Sequence, residues 1–147
     1  MFDLTLHKRF WWSKGYLALT YGDTASGIPI IRLQSTCLFG TALHSIECDC
    51  KRQLNDAFRQ IKKHGRGVVV YALEEEGKGN GLEDKIDSML DKCGHPYLDS
   101  LYVLVDKRRY SGAARVLTEL SVSKRIHVLT QNEEKCEALR KAGFVIL

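Results

Sequence analysis

Hydrophobic positions along the chain change period several times, and each change marks an element. Tyr16 to Tyr21 (YLALTY) and Ile28 to Leu33 (IPIIRL) have strand composition, with turn-forming Gly22, Asp23 and Ala25–Gly27 between them. Their closeness in sequence predicts an antiparallel pair. From Cys50, the residues Leu54, Ala57, Phe58 and Ile61 recur on one helical face, and His64-Gly65 is a helix stop. A strand over Val68 to Leu73 follows. The stretch EEEGKGNGLEDK then sets Gly77, Gly79 and Gly81 ahead of a helix whose apolar face is Leu82, Ile86, Leu90 and Cys93. Strand, glycine loop and helix in succession make a common phosphate cradle. Beyond it come an apolar run Leu101–Val105, a helix capped by Ser111 and running through Val116, Leu117 and Leu120, and a strand Ile126–Leu129. A helix over Glu133–Lys141 and a final Phe144–Leu147 segment complete the chain.

This alternation behind an antiparallel start predicts an α/β fold with a mixed (α+β) sheet. Only two prolines, Pro29 and Pro96, occur, and neither a repeat nor a low-complexity tract divides the chain, so residues 1–147 read as a single domain. Composition agrees: 147 residues that are 44% hydrophobic and 27% charged suit one core. No apolar run reaches the roughly 18–20 residues of a membrane span. The start, MFDLTLHKRFWW, lacks a cleavable apolar core, so a soluble, cytoplasmic protein without membrane partners is expected. The net charge of +4, from 22 Lys+Arg against 18 Asp+Glu, is too small and dispersed for a nucleic-acid stripe and better suits a small anionic ligand.

Cysteine usage is more informative. Five cysteines, an odd number without an export signal, argue against a disulfide scaffold. Cys37, Cys48 and Cys50 follow a C-x10-C-x-C spacing, the last two at the start of a helix, where the dipole and free amides favour thiolates. Two readings fit: a zinc site, or three packed thiols. Three thiolates on zinc leave one tetrahedral position open, as in catalytic sites, but they lower the Lewis acidity of the ion and call for helper groups nearby. Cys93 and Cys136, on helices, read as packing residues.

The run YGDTASGIPIIRLQSTCLFGTALHSIECDCKRQL, with EEEGKGNGL, Asp106-Lys107-Arg108 and LTQNEEK after it, resembles the GTP cyclohydrolase II family. These enzymes open the imidazole ring of GTP at the start of riboflavin synthesis. The resemblance covers about Tyr16 to Leu147. It implies a zinc site at Cys37, Cys48 and Cys50, a GTP substrate and a homodimer; a triphosphate that gives up pyrophosphate calls for Mg²⁺ to neutralise the developing charge. It further implies nucleotide contacts at Arg32, Gln34, Ser35 and Thr36, at Gln53, at Glu76-Gly77-Lys78, and at Thr130 and Lys135. Asp106 and Arg108 match the family's Asp-x-Arg pair, assigned to base and phosphate-attack roles. An arginine is almost always protonated, so the chemistry of the residues favours an electrostatic clamp at Arg108, oriented by Asp106. Without the resemblance, the pair reads as a surface ion pair, Lys135 as an exposed helix charge, and Glu74 and Glu75 as a solvated acidic turn.

Several positions depart from the family pattern. Its usual His-Ser-Glu before the first cysteine is Gln34-Ser35-Thr36, and its Glu-Gly-Arg is Glu76-Gly77-Lys78, which keeps charge but gives up the bidentate fork. The family's catalytic tyrosine, four residues beyond the position of Lys85, is Met89, and a thioether cannot donate a proton. Ser100 alone stands near the family's Asp-Thr contact, and Leu147 falls where members usually continue. Three functions fit. The first is ring opening of GTP with pyrophosphate release and retention of the formyl group, giving a formamidopyrimidine nucleotide. The second is a cyclohydrolase for a different nucleotide, and the third a non-catalytic zinc- and nucleotide-binding paralogue.

Overall fold

The computed structural model describes residues 1–8, 15–92 and 105–147, without the side chains of 91 and 92. The expectations for Cys93, Ser100 and most of Leu101–Val105 lie outside these residues. Among the described residues, six strands form one mixed sheet in the order β1-β2-β4-β3-β5-β6: β1 (Asp3–His7), β2 (Tyr16–Tyr21), β3 (Ile30–Ser35), β4 (Gly67–Ala72), β5 (Arg125–Val128) and β6 (Val145–Ile146). The α/β expectation holds.

The expected antiparallel pairing of the second and third strands does not. β4 lies between them, antiparallel to β2 (Leu19 opposite Val69) and parallel to β3 (Arg32 opposite Val69). The reason is burial on both faces. Val68, Val69 and Val70 are each at most 1% exposed, and such an unbroken apolar run stabilises the centre of a sheet rather than an edge. The parallel register in turn requires a crossover, supplied by α1 (Leu38–Thr41) and α2 (Cys50–His64). β1, which the sequence pattern did not single out, adds antiparallel to β2 at the edge.

One face of the sheet packs against α5 (Ser111–Glu119) and α6 (Glu133–Lys141) through Tyr16, Ala18, Ile31, Leu33, Val68 and Val70. The other is covered by α2, whose Ala57 and Ile61 are buried as its periodicity predicts. Gly67 makes that approach possible, because a Cβ there would lie 2.4 Å from the Ile30 carbonyl and 2.9 Å from the Ile61 side chain. α2 ends as expected, at Gly65 in the left-handed conformation (φ 89°), whose amide donates to Ile61.

Two helical expectations need correction. Tyr110, not Ser111, is the N-cap of α5, and no side chain caps that end. Leu82, Ile86 and Leu90 on α4 (Leu82–Lys92) form a stripe, yet they are 38–41% exposed, and Ser88 is the buried side chain. α4 follows α3 (Glu76–Gly79) and packs mainly on that turn rather than across the sheet, so among the described residues the stripe meets no layer.

Candidate functional site

Parallel β3, β4 and β5 present their carboxyl ends on one edge, where open α/β sheets place ligands. From the end of β3 the chain runs through Thr36 into Cys37, from β4 into the glutamate-glycine turn of α3, and from β5 into Leu129–Asn132 and α6.

Cys37, at the mouth of β3, is brought against Cys48 and Cys50 by the single turn of α1. The three Sγ atoms lie within 4.8 Å of one another, with Cys37 to Cys48 at 3.6 Å. A tetrahedral ion with bonds of about 2.3 Å holds its sulfurs about 3.8 Å apart, so the group matches a thiolate metal site. Gly40 forms its wall: a Cβ there would lie 2.3 Å from the Cys48 sulfur. Burial and the two neighbouring thiols push Cys50 up to about 12, and burial raises Cys37. At Cys48 burial is outweighed by hydrogen bonds from the Cys50 amide and thiol, and the net shift is downward. Three thiolates this close therefore need a cation to coexist. Among the described residues this is the one cysteine, histidine or carboxylate group with metal-site geometry.

Beside the sulfurs opens a cleft of about 170 Å³. Cationic groups from five segments line it: Arg32, Lys78, Lys85, Arg108 and Lys135. Arg32 is held rigid, donating to the Leu129 carbonyl at 2.9 Å, to Gln34 Oε1 at 2.9 and 3.1 Å, and to Gln53 Oε1 at 2.6 Å. Asp49 in turn accepts from the Gln53 amide at 2.8 Å. Arg108 is gripped by Asp106, which accepts from its Nε at 2.9 Å and from its backbone amide at 3.1 Å, and which these bonds hold below the usual carboxylate range.

Lys135 is not an exposed helix charge. It is 7% exposed, donates to the Leu33 carbonyl at 2.8 Å, and stands 5.3 Å from the centre of the Tyr110 ring. Burial, then the charges of Arg32 and Arg108, bring it down to about 8. The N-terminus of α6 places it: Asn132 Oδ1 accepts from its amide, and Thr130 Oγ1 accepts from that of Asn132.

The glycine turn is tied to both sides of the cleft. Glu76 accepts from the amides of Leu38, next to the first cysteine, and Gly77. The Lys78 carbonyl accepts from the Lys107 amide at 2.9 Å, beside the Asp106–Arg108 pair. Gly77 and Lys78 both adopt left-handed conformations (φ 59° and 57°), routine for glycine but strained for lysine.

Most expected site residues therefore converge. Arg32, Gln34, Ser35 and Thr36 line the cleft, as do the three cysteines, Gln53, Glu76-Gly77-Lys78, Arg108 and Lys135. Thr130 lines its continuation, which shares Arg32, Gln53, Arg108 and Lys135. Asp106 stands behind Arg108. Met89 is half-buried on α4 outside the lining, whereas Lys85, one turn earlier, belongs to it. The acidic turn is corrected: Glu74 is solvated, but Glu75 is 7% exposed and accepts from Ser35 Oγ at 2.6 Å. Nothing in the run EEE separates it from its neighbours. Tyr110, also not foreseen, buries a hydroxyl that finds no partner among the described residues.

A cysteine triad of metal-site geometry beside a cationic cleft, at the carboxyl edge of a mixed sheet, is an arrangement fit for a metal and a small anionic ligand. The GTP cyclohydrolase II family model matches residues 2–147, and the chain belongs to that family. It is 40% identical over 139 residues to GTP cyclohydrolase-2 of Actinobacillus succinogenes, covering 91% of this chain and 63% of that protein. The Histophilus somni protein of the same name gives the same figures. That of Archaeoglobus fulgidus is 38% identical over 135 residues, 89% of this chain and 35% of its own length. The chain thus spans less than two thirds of these relatives. No helix among the described residues is long and apolar enough to cross a membrane.

Proposed function

We propose that the protein is a hydrolase of purine nucleoside triphosphates that opens the imidazole ring of GTP, releases pyrophosphate and leaves the formyl group in place. The observation that carries this is the meeting, in one cleft, of the three-thiol group with Arg32, Lys78, Arg108 and Lys135. Zinc would be held by Cys37, Cys48 and Cys50 and would supply a Lewis acid for ring opening. The rest is the work of the chain's own groups. Arg32, Lys135 and Arg108 hold the triphosphate, and Arg108, fixed by Asp106, faces the charge that develops as pyrophosphate leaves. Gln53 fixes Arg32, and Glu76 fixes the amide next to Cys37. Opening adds water across C8–N9: oxygen goes to C8, the C8–N9 bond breaks, one proton of the water ends on N7 and the other on N9, and the formyl group remains on N7; a second water attacks the α-phosphorus as its bond to pyrophosphate breaks.

A second hydrolysis, removing formate, needs a proton donor. Met89 supplies none. The product expected is therefore a formamidopyrimidine nucleotide. Mg²⁺ on the triphosphate and a homodimer in solution complete the proposal. Incubation of the zinc-loaded protein with GTP, followed by mass analysis, tests it. A ring-opened product retaining its formyl carbon, with pyrophosphate, is expected. Formate release would overturn the retained-formyl assignment, and unchanged GTP would overturn the proposal as a whole.

A second substrate reading rests on Gln34. Its amide is engaged on both sides, accepting from Arg32 and donating to the Ser35 carbonyl, so it stands as a structural neutral group where the family usually carries histidine. A panel of purine triphosphates in the same assay separates the two readings.

A further inference from the structure

Arg108 and Lys135 reach the cleft from different segments, one just before α5 and the other in the first turn of α6, yet both stand against one aromatic ring. The guanidinium carbon of Arg108 lies 5.8 Å, and Nζ of Lys135 5.3 Å, from the centre of the Tyr110 ring. Both are within the roughly 6 Å over which the negative face of an aromatic ring attracts a cation, and exclusion of water strengthens that attraction. Water is largely excluded here, since Tyr110 is 5% and Lys135 7% exposed.

Two like charges aimed into one cleft repel each other, and these two are held unequally. Arg108 has the Asp106 carboxylate. Lys135 forms no ion pair among the described residues; its ammonium donates to the Leu33 carbonyl at 2.8 Å and stands over the ring. The charge of Arg108 reaches it and works against its protonated form, while that of Glu75 works for it.

The ring is a fixed surface. Tyr110 is the N-cap of α5, its carbonyl accepts from the Ala114 amide at 3.0 Å, and its side chain belongs to the core with Leu33, Val70 and Ala113. It lines neither the cleft nor the continuation past Thr130, so it acts on a ligand only through the cations that stand on it. Its hydroxyl finds no partner among the described residues, which leaves the ring as what the side chain contributes.

We propose that Tyr110 is a positioning residue, whose ring is the shared seat that holds Lys135 and Arg108 side by side as the charged surface for the phosphates of the nucleotide. This rests on the nucleotide reading above and extends it to a residue that does not itself meet the ligand. A lysine without its seat keeps its charge but loses its place, and phosphate affinity falls.

A test must keep the shape of the ring and change its charge. Phenylalanine and its mono-, di- and trifluorinated analogues, incorporated at position 110, do this, because each fluorine draws electron density from the ring face while adding little bulk. The zinc-loaded proteins are titrated calorimetrically with guanosine diphosphate near neutral pH, where Lys135 is charged, and their melting temperatures are measured in parallel. Affinity is expected to fall stepwise from Tyr110→Phe along the series, to about fivefold weaker with the trifluorinated ring, without a matching trend in melting temperature. Tyr110→Leu is expected to bind at least as weakly as that last member, and Tyr110→Phe to recover what leucine loses. On a Lys135→Met background the series becomes shallower, since Arg108 alone remains on the ring. A flat series, a fall that follows the melting temperature, or an undiminished slope without Lys135 overturns the inference and leaves the nucleotide reading standing. If the wild type does not bind guanosine diphosphate, the nucleotide reading falls and takes this inference with it.

Discussion

Asp106 and Arg108 form a fork-to-fork pair two residues apart, in which the carboxylate takes the guanidinium Nε at 2.9 Å and a terminal nitrogen at 2.5 Å. The same carboxylate accepts the Arg108 amide at 3.1 Å, so backbone and side chain are fixed together. Arg108 is thus aimed into the cleft before any ligand arrives, and its charge needs no reorganisation during reaction.

Replacing Asp106 with Asn keeps the shape and removes the charge and one half of the fork. Turnover of GTP is expected to fall on the order of 10²-fold, the usual cost of misaligning one electrostatic group, with zinc content unchanged. Arg108→Lys retains charge but not the planar fork and is expected to lose at least about tenfold. Steady-state kinetics with metal analysis of each variant checks both, and an Asp106→Asn protein of full activity would show that the pair is only a surface ion pair.

Gly40 sets the room available to the cysteines. In Gly40→Ala the new methyl lies 2.3 Å from the Cys48 sulfur and 3.2 Å from that of Cys37, too close for the thiols to keep their positions. Zinc bound per chain is expected to drop well below one by elemental analysis, with far-ultraviolet circular dichroism preserved because the sheet lies elsewhere. Stoichiometric zinc in the variant would contradict the arrangement of the site.

Lys135 gives the cleft a pH dependence. Its ammonium, lowered to about 8 from an ordinary value near 10.5, loses its charge as pH rises through about 8. Nucleotide affinity is therefore expected to weaken between about pH 8 and 9.5, because a phosphate partner is lost. The stability effect has the opposite sign. Between about pH 8 and 10.5 the unfolded chain binds the proton that the folded chain has released, so stability from this group rises with pH across that window. In Lys135→Met the additional loss of affinity above pH 8 disappears. Titrations of wild type and variant across that range measure the difference, and parallel curves would exclude the lysine as its source.

Lys78 combines strain with charge. Its φ of 57° costs a non-glycine residue about 1–2 kcal/mol, which Lys78→Gly relieves. Thermal stability is expected to be equal or higher in that variant, while nucleotide affinity falls by several-fold. A variant both less stable and unchanged in affinity would remove Lys78 from the cleft's function.

Local patterns were readable where the deciding interactions are local. α2 follows from its apolar face and its glycine stop, and α6 was placed with its bounds at Glu133 and Lys141. The cysteine triad was visible in its spacing. What escaped depends on distant partners. The strand order turns on β4 entering between β2 and β3, a non-local pairing that neither strand's composition encodes. Glu75 looked like its two acidic neighbours because its burial is decided by Ser35, on another strand, and by the positive charges of Arg108 and Lys135. Leu82, Ile86 and Leu90 show the converse, since a periodic stripe reports a helix without reporting what packs on it.

The most direct measurement is one reaction: the zinc-loaded protein, GTP and Mg²⁺, with products identified by mass and formate assayed separately. A nucleotide carrying one added water across the opened ring, its formyl group retained, together with pyrophosphate and no formate, is the expected result. Stoichiometric formate with a deformylated pyrimidine would contradict the role given to Met89, and GTP recovered intact would contradict the central claim that this cleft opens the purine ring.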